Sequence, residues 1–597
     1  MSGVEIFLAI VKIAIMVGFF INMAAVGIWA DRRQSAMVQD RVGPNRAVFT
    51  LPSNLVRVIV LLPPTILGAF AVAPAVALVV PQLQGYSLRP AASFDILTLT
   101  TQLTILVSWM SLLLLSAVAR SSGAWNGVES FFARFDPRSI FYAGVVAHAL
   151  GLAATNLVPV DAVATVAPIT CALLGLALFI SGIYTASRVP DGPVEIRLAG
   201  LVHSAADALK LIWKEDFVPK NADKLLHSLA PMIALFPAFV TMAVLPFGTR
   251  LCVQGDPAQP LAWRDLLHVA PGVGRDMVCR GHEIPLQIAD LNVGILYMFA
   301  LTSTGVIGAA LAGWASDNKF SLLGGLRAAS QMVSYEVAMG LSLVGLFIIY
   351  GSVRLAPMVD WQGENAWGIF VQPFAFFLFL ATLAAETKRV PFDQPEGESE
   401  IVAGYFVEYS GMKFGMFFMG EYIELFVSSA LLVTLFFGGY RLPFLHADGI
   451  TVAFGGAHLP TYQMNHLAVV VISALTFFGK TMLMSWVQIF FRWTLPRFRY
   501  DQVMRLGWTK LLPMSLANVM VTGIIVLAID SAGPGVKGVL QVAADASQAL
   551  VALGAFAGFV ALVVGLLEPV ERKKFLKSSA ARFAAAAGGT RATAQQA

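Results

Sequence analysis

Cysteine is nearly absent from this chain: three in 597 residues, with Cys171 inside an apolar run and Cys252 and Cys279 in one polar loop. No CxxC pair and no Cys/His cluster occurs, which excludes the usual zinc and iron–sulfur ligand sets, and no metal of its own is expected. Charge is scarce as well. Asp, Glu, Lys and Arg make up 13% of the residues against 57% hydrophobic ones, a balance too apolar for a soluble domain. The net charge of +4 is scattered at the ends of apolar runs without forming a continuous basic patch, so no nucleic-acid partner is implied. The first apolar run, Glu5 to Trp29, lacks a basic leader and a small-residue cleavage site and reads as a retained membrane helix.

What the sequence has in abundance is long apolar runs. Crossing about 30 Å of hydrocarbon at 1.5 Å per residue takes about 20 residues. Thirteen runs qualify, at 5–29, 55–80, 96–119, 139–158, 163–187, 226–247, 291–314, 324–350, 367–385, 412–437, 466–491, 509–529 and 541–567. The expected fold is therefore an all-α polytopic membrane protein with about 13 transmembrane helices. Alternating the loops places 30 of the 40 basic residues on one side and eight on the other, with Lys12 and Lys480 inside spans. The positive-inside rule makes the rich side cytoplasmic, with the N-terminus outside and the C-terminus inside, in a multi-pass protein of a bacterial inner membrane. Ile196 to Trp213 is too polar to span, yet Leu198, Leu201, Val202, Ala205, Leu209 and Ile212 recur at three- and four-residue spacings. That pattern fits an amphipathic helix lying in the cytoplasmic interface. The tail beyond Phe583, rich in Ala, Gly, Thr and Gln, has too little bulky apolar surface to pack.

The stretch Ala384 to Glu421 crowds Glu386, Asp393, Glu396, Glu398, Glu400, Glu408 and Glu421 around Lys388, Arg389 and Lys413. Carboxylates this close repel when all are ionised, which raises and couples their proton affinities, as a proton relay or charge-sensing loop requires. A solvated acidic loop is the plain alternative. Glu336, Glu421 and Glu424 fall within predicted spans, where an unpaired charge costs about 2.5 to 3.5 kcal/mol. Glu336 and Glu421 are each either functional or neutralised by a buried base such as Lys480. The arginines that follow the first span and a late one are explained equally well by anchoring to the inner surface. On the opposite face, Cys252 and Cys279 share a loop in an oxidising compartment and are expected to bridge. Their ring of 28 residues (279 − 252 + 1) would be worth about 3 to 4 kcal/mol to the loop.

Five stretches, in order, carry a resemblance: QDRVGPNR (39–46), ADALKLIWKEDF (206–217), GWASDNKFSLLGGLRAASQMVSYE (313–336), ETKRVPFDQPEGESEIVAGYFVEYSGM (386–412) and PRFRYDQVMRLG (496–507). The chain resembles the quinone-site subunit family of the proton-translocating NADH:quinone oxidoreductase, respiratory complex I, known as the H subunit and, in mitochondria, as NADH dehydrogenase subunit 1. The resemblance implies a membrane-arm subunit that forms the tunnel by which quinone enters and couples quinone reduction to proton translocation. It implies quinone as substrate, flavin and iron–sulfur clusters on partner subunits, and the other membrane and peripheral subunits as partners. Matched by motif, Glu215, Glu336, Glu386, Asp393, Glu396, Glu398, Glu400, Glu408 and Glu421 would form the acidic path. Arg41 and Arg46 would lie by the tunnel mouth, with Arg389 and Arg499 as further quinone-site bases.

The resemblance divides the chain into residues 1–47, the first span and its loop; 48–194, an insertion with about four extra spans; 195–530, the core with the interfacial helix, seven spans and acidic loop; and 531–597, an extra span and basic tail. Asp31 and Lys388 stand where the family commonly has Glu and Asn. The homologous membrane subunit of an energy-converting hydrogenase and, in a different class, a secondary transporter remain alternatives.

Overall fold

The computed structural model describes residues 3–39, 49–58, 192–196, 200–253, 281–446 and 466–567, with scattered positions between these stretches. The runs at 96–119, 139–158 and 163–187, most of 55–80, Arg46, the Glu398 side chain and the tail from 568 onward lie outside the described residues.

Apolar runs of twenty residues or more become helices because lipid offers the backbone no other hydrogen-bond partner. Among the described residues eight are long and apolar enough to cross a membrane. They include α1 (Gly3–Val38), α3 (Lys224–Thr241, extended by a 3-10 turn to Val244), α4 (Gly294–Ala315) and α5 (Lys319–Tyr350). Local signals set their ends. Asp223 caps α3 by accepting from the N–H groups of Leu225 and Leu226, Asn318 caps α5 by accepting from that of Phe320, and Gly351 closes α5 at φ +65°.

The run at 367–385 departs from the expectation of one span. It splits into the short helices α7 (Gly368–Val371) and α8 (Pro373–Glu386), α6 (Leu355–Glu364) having preceded them. The break is stabilised by side chains: Gln362 Oε1 accepts from the N–H groups of Gly368 and Gly438, and Gln372 donates to Thr522. Backbone freed inside an apolar layer needs such partners. The remaining long helices are α9 (Gly411–Phe436), α10 (His466–Thr494), the pair α11 (Tyr500–Leu506) and α12 (Leu512–Asp530), joined by a π-helical turn at Gly507–Leu511, and α13 (Pro534–Leu567).

Helix α9 is the centre of the bundle: 78% of its most apolar window is buried, against 17% for α1 and 11% for the last span. Its side chains Tyr422, Phe426 and Leu432 pack with Phe20, Met339 and Phe379 in the main core. Helix α2 (Val202–Trp213) is the expected interfacial helix, starting later than Ile196. It turns Asp207 to Arg32 of α1 and leaves Leu209, Ile212 and Trp213 exposed, the disposition of a helix lying in a lipid surface.

Two of the four short sheets among the described residues bear on the frame. Strand β1 (Phe49–Leu51) pairs antiparallel with β2 (Val194–Ile196), bringing the two ends of the 52–193 stretch together. Strand β3 (Leu251–Val253) pairs with β4 (His282–Ile284) beside the two loop cysteines. Contrary to the expected bridge, Cys252 and Cys279 are free thiols. Burial pushes the buried Cys252 thiol up to about 12, and a protonated thiol is a poor nucleophile. Cys279 Sγ is engaged with the carbonyls of Gly281 and His282.

Candidate functional site

The loop that follows α8 turns inward and lies against α5, α9 and α11. One amide fixes its start: Gln331 Nε2 of α5 donates to the carbonyls of Ala385, at 2.7 Å, and Phe392, at 2.8 Å. Gln394 Nε2 fixes its middle by donating to the Phe498 carbonyl at 2.6 Å. Gly404, at φ +63°, lets the far end press onto α5. A Cβ there would overlap the Pro395 carbonyl oxygen, and one on Gly324 would meet the Tyr405 nitrogen at 2.5 Å. Only glycines satisfy that approach.

This packing draws charge into the interior. Glu421 and Glu424, three residues apart on α9, share a face, and the loop sets Arg389 and Lys388 against them. The Arg389 guanidinium lies 3.9 Å from Glu421 and 4.2 Å from the centroid of the Tyr422 ring, while Lys388 Nζ lies 3.5 Å from Glu424. Tyr405 donates to Glu421 at 3.0 Å. At 3.9 Å and an effective dielectric of about 20, two unit charges attract by about 4 kcal/mol, no more than the several kcal/mol that desolvating each ion costs. The satisfaction is incomplete: among the described residues Arg389 Nε and Nη2 and Glu386 Oε2 are buried without a hydrogen-bond partner. Glu386, Lys388 and Glu424 line a cavity of about 40 Å³ together with Thr241, Thr302 and Ser428. At about 10–15 Å³ per water, that volume holds about three or four waters.

Around this centre the other carboxylates fall into two groups. Glu336 of α5 accepts from the Ser303 hydroxyl of α4. Asp393 is buried and accepts from Arg497 at 2.6 Å; desolvation lifts its proton affinity to about 6 in spite of Arg497 and Arg492. Desolvation, followed by the negative charges of Glu421 and Asp393, holds Glu396 well above the ordinary carboxylate range. Glu400 pairs with Arg327 at 2.7 Å and Glu408 accepts from Asn318 at 2.6 Å, both nearer the surface. Glu215 is exposed in the turn after α2, tied to the loop by its carbonyl, which accepts from Ser410. Of the arginines, Arg389 is in the cluster and Arg41 is exposed. Arg499 is also exposed, paired at 3.8 Å with its neighbour Asp501.

Three participants stand outside the set read from the sequence. Glu424 is one, and its three-residue spacing from Glu421 was visible as a signal. Arg497, two residues before Arg499, makes the buried contact. Asp31, near the end of α1, is buried and collects three donors: Tyr422 at 2.8 Å, Arg492 at 2.6 Å and Trp493 at 2.7 Å. Lys480 pairs with no glutamate among the described residues, and instead donates to three backbone carbonyls. Among the described residues no group of three or more His, Cys, Asp or Glu side chains is placed to hold a metal ion.

Residues 162–523 match a family model described as NADH dehydrogenase. That match begins inside the 48–194 stretch and ends near the close of α12. The chain is 39% identical over 336 residues to an NADH-quinone oxidoreductase H subunit of Cytophaga hutchinsonii, covering 56% of this chain and 86% of the relative. It is 43% identical over 336 residues to an H subunit of the same enzyme from Geobacter metallireducens, with the same coverage, and 40% identical over 335 residues to NADH-quinone oxidoreductase subunit 8 of Rhodothermus marinus, covering 55% and 85%.

Proposed function

The chain belongs to the NADH dehydrogenase family that contains the H subunit of NADH-quinone oxidoreductase, and from that premise we propose that it is the membrane-arm subunit in which quinone reduction is coupled to proton translocation. The observation that carries the reading is the buried, incompletely satisfied cluster of Arg389, Lys388, Glu386, Glu421 and Glu424, three of which, Glu386, Lys388 and Glu424, line a small cavity. Reducing a quinone takes two electrons and two protons, so charge changes near the site during each turnover. In a low-dielectric interior such a change is felt strongly by carboxylates that already repel one another.

In this reading Arg389 holds the negative charge that develops on the reduced quinone, and Glu421 and Glu396 release or accept a proton in response. Glu386 and Glu424 pass the proton along the cavity towards Glu336, with Lys388 as the alternating counter-charge. Asp393, Glu398, Glu400 and Glu408 form the loop side of the acidic set, and Glu215, Arg41 and Arg499 lie along its cytoplasmic approach. The other membrane and peripheral subunits would supply flavin and iron–sulfur electrons, and the N-terminus would face the outside of a bacterial inner membrane.

The test is Glu386→Gln in the assembled complex. NADH oxidation by a hydrophilic acceptor serves as the measure of assembly. Quinone reductase activity and proton pumping should fall together by about tenfold or more, the loss of one proton-transfer group. Wild-type rates of both in fully assembled enzyme would reduce the cluster to a structural role.

A further inference from the structure

We propose that Asp31 is a positioning residue for the quinone reaction: its carboxylate fixes the Tyr422 ring, and that ring in turn fixes the Arg389 guanidinium. The inference rests on the assignment of Arg389 to the quinone site.

Helices α1 and α9 cross closely at Gly27, where a Cβ would lie 2.9 Å from Phe426 and 3.0 Å from the Tyr422 ring. One turn later along α1, Asp31 reaches the hydroxyl of the same tyrosine. Tyr422 is almost wholly buried, and it donates to Asp31 Oδ2 at 2.8 Å. The carboxylate is itself held from a second direction: Arg492 Nη1 donates to Oδ2 at 2.6 Å and Trp493 Nε1 to Oδ1 at 2.7 Å, both from the end of α10. Three donors on two helices leave the carboxylate one position, and an acceptor so fixed leaves the tyrosine one ring orientation.

The Arg389 guanidinium carbon lies 4.2 Å from the centroid of that ring, well inside the range of a cation–π contact. The direct ion partner, Glu421, is 3.9 Å away, and two guanidinium nitrogens are buried without acceptors. Electrostatics alone therefore does not define where the Arg389 fork points, and stacking on Tyr422 does. A planar donor fork is useful to a quinone carbonyl only when pre-aligned, because orientation is what it contributes. Asp31 makes no hydrogen bond or ion pair with Arg389; its negative charge supports the guanidinium from a distance, and its hold on orientation runs through Tyr422.

The experiment measures quinone reductase kinetics with a short-chain quinone in membranes holding the assembled complex, normalised to NADH oxidation by a hydrophilic acceptor. Asp31→Asn should raise KM for the quinone about tenfold, the loss of a hydrogen bond to a charged group, with kcat within about twofold. Tyr422→Phe, which keeps the ring and removes only the hydroxyl, should raise KM in the same direction. The double variant should be no worse than the larger single effect, because both act through one path. Asp31→Glu, which restores the charge, should recover most of the affinity. The inference is overturned if both single variants keep the wild-type KM, or if their effects multiply in the double. Arg389→Lys separates the two levels. Raised KM in Arg389→Lys with normal Asp31→Asn and Tyr422→Phe sinks the positioning role alone, whereas a normal Arg389→Lys sinks the assignment of Arg389 on which it rests.

Discussion

The two ends of α9 each meet a cation withdrawn from the surface, and they treat it differently. Beyond Phe436, the Lys480 ammonium donates to the carbonyls of Phe437 at 2.8 Å, Gly439 at 3.1 Å and Arg441 at 2.6 Å, and lies 4.3 Å from the centroid of the Trp367 ring. All three donors are used, and the charge sits where the helix dipole favours it. Around Glu421, Arg389 has one ion partner, 3.9 Å from Nη2, and among the described residues neither Nη2 nor Nε has a hydrogen-bond acceptor. A cation with every donor satisfied is a fastener. A cation with donors left over among carboxylates is placed for something that arrives and leaves.

The largest effect expected from this contrast is on Lys480. Lys480→Met leaves three buried carbonyls without their donor, at a cost of about 1–3 kcal/mol per unsatisfied group, and should visibly lower the amount of assembled complex and its thermal inactivation temperature. Turnover per assembled complex should stay at the wild-type level. A selective loss of turnover in fully assembled enzyme would erase the distinction between the two ends.

The contrast was only partly legible in the sequence. Spans such as α1, α4, α5 and α9 could be read because an apolar run of twenty residues has a single outcome in lipid. The break at Gln372 could not, since the apolar pattern runs on unbroken and what permits the break is a set of side chains from α6 and α12, more than a hundred residues away in the second case. The acidic loop announced itself by density, and Glu336 and Glu421 by depth. Asp31 did not, because a carboxylate near the end of a span looks like anchoring until Tyr422, 391 residues on, is folded against it. Lys480 was read as a possible partner for a glutamate for the same reason: composition shows a buried base and not the carbonyls that surround it.

A smaller effect sharpens the contrast through pH. Asp393 has its proton affinity raised from an ordinary 3.8 to about 6, first by burial. Because the folded value lies above the unfolded one, the stability this group contributes is fully present below pH 3.8 and is lost as pH rises through about 6. A shift of this size corresponds to about 1–3 kcal/mol. Asp393→Asn, which cannot ionise, should flatten thermal inactivation of the complex between pH 4 and about 6.5 relative to wild type, and remove any shoulder near pH 6 from the quinone reductase profile. Identical pH profiles in wild type and variant would show that Arg497 keeps Asp393 ionised throughout and that burial is not the dominant influence on it.

The smallest effect separates two arginines two residues apart. Arg499 was read from its motif as a quinone-site base, yet its side chain is 75% exposed and its ion partner is the equally exposed Asp501 at 3.8 Å. Its structural part is local, for it stands at the N-cap of α11, where its backbone N–H is accepted by Gln502 at 3.0 Å. An exposed pair of this kind contributes about 0–1 kcal/mol. Arg497 instead meets a buried carboxylate at 2.6 Å, and removing one partner of a buried pair leaves the other uncompensated. Arg499→Gln should therefore change quinone reductase activity by less than about twofold, while Arg497→Gln should lower it several-fold more, in equal amounts of assembled complex. The reverse order would mean that a surface arginine reaches the reaction through a partner subunit, and that burial within this one chain is the wrong guide to its working residues.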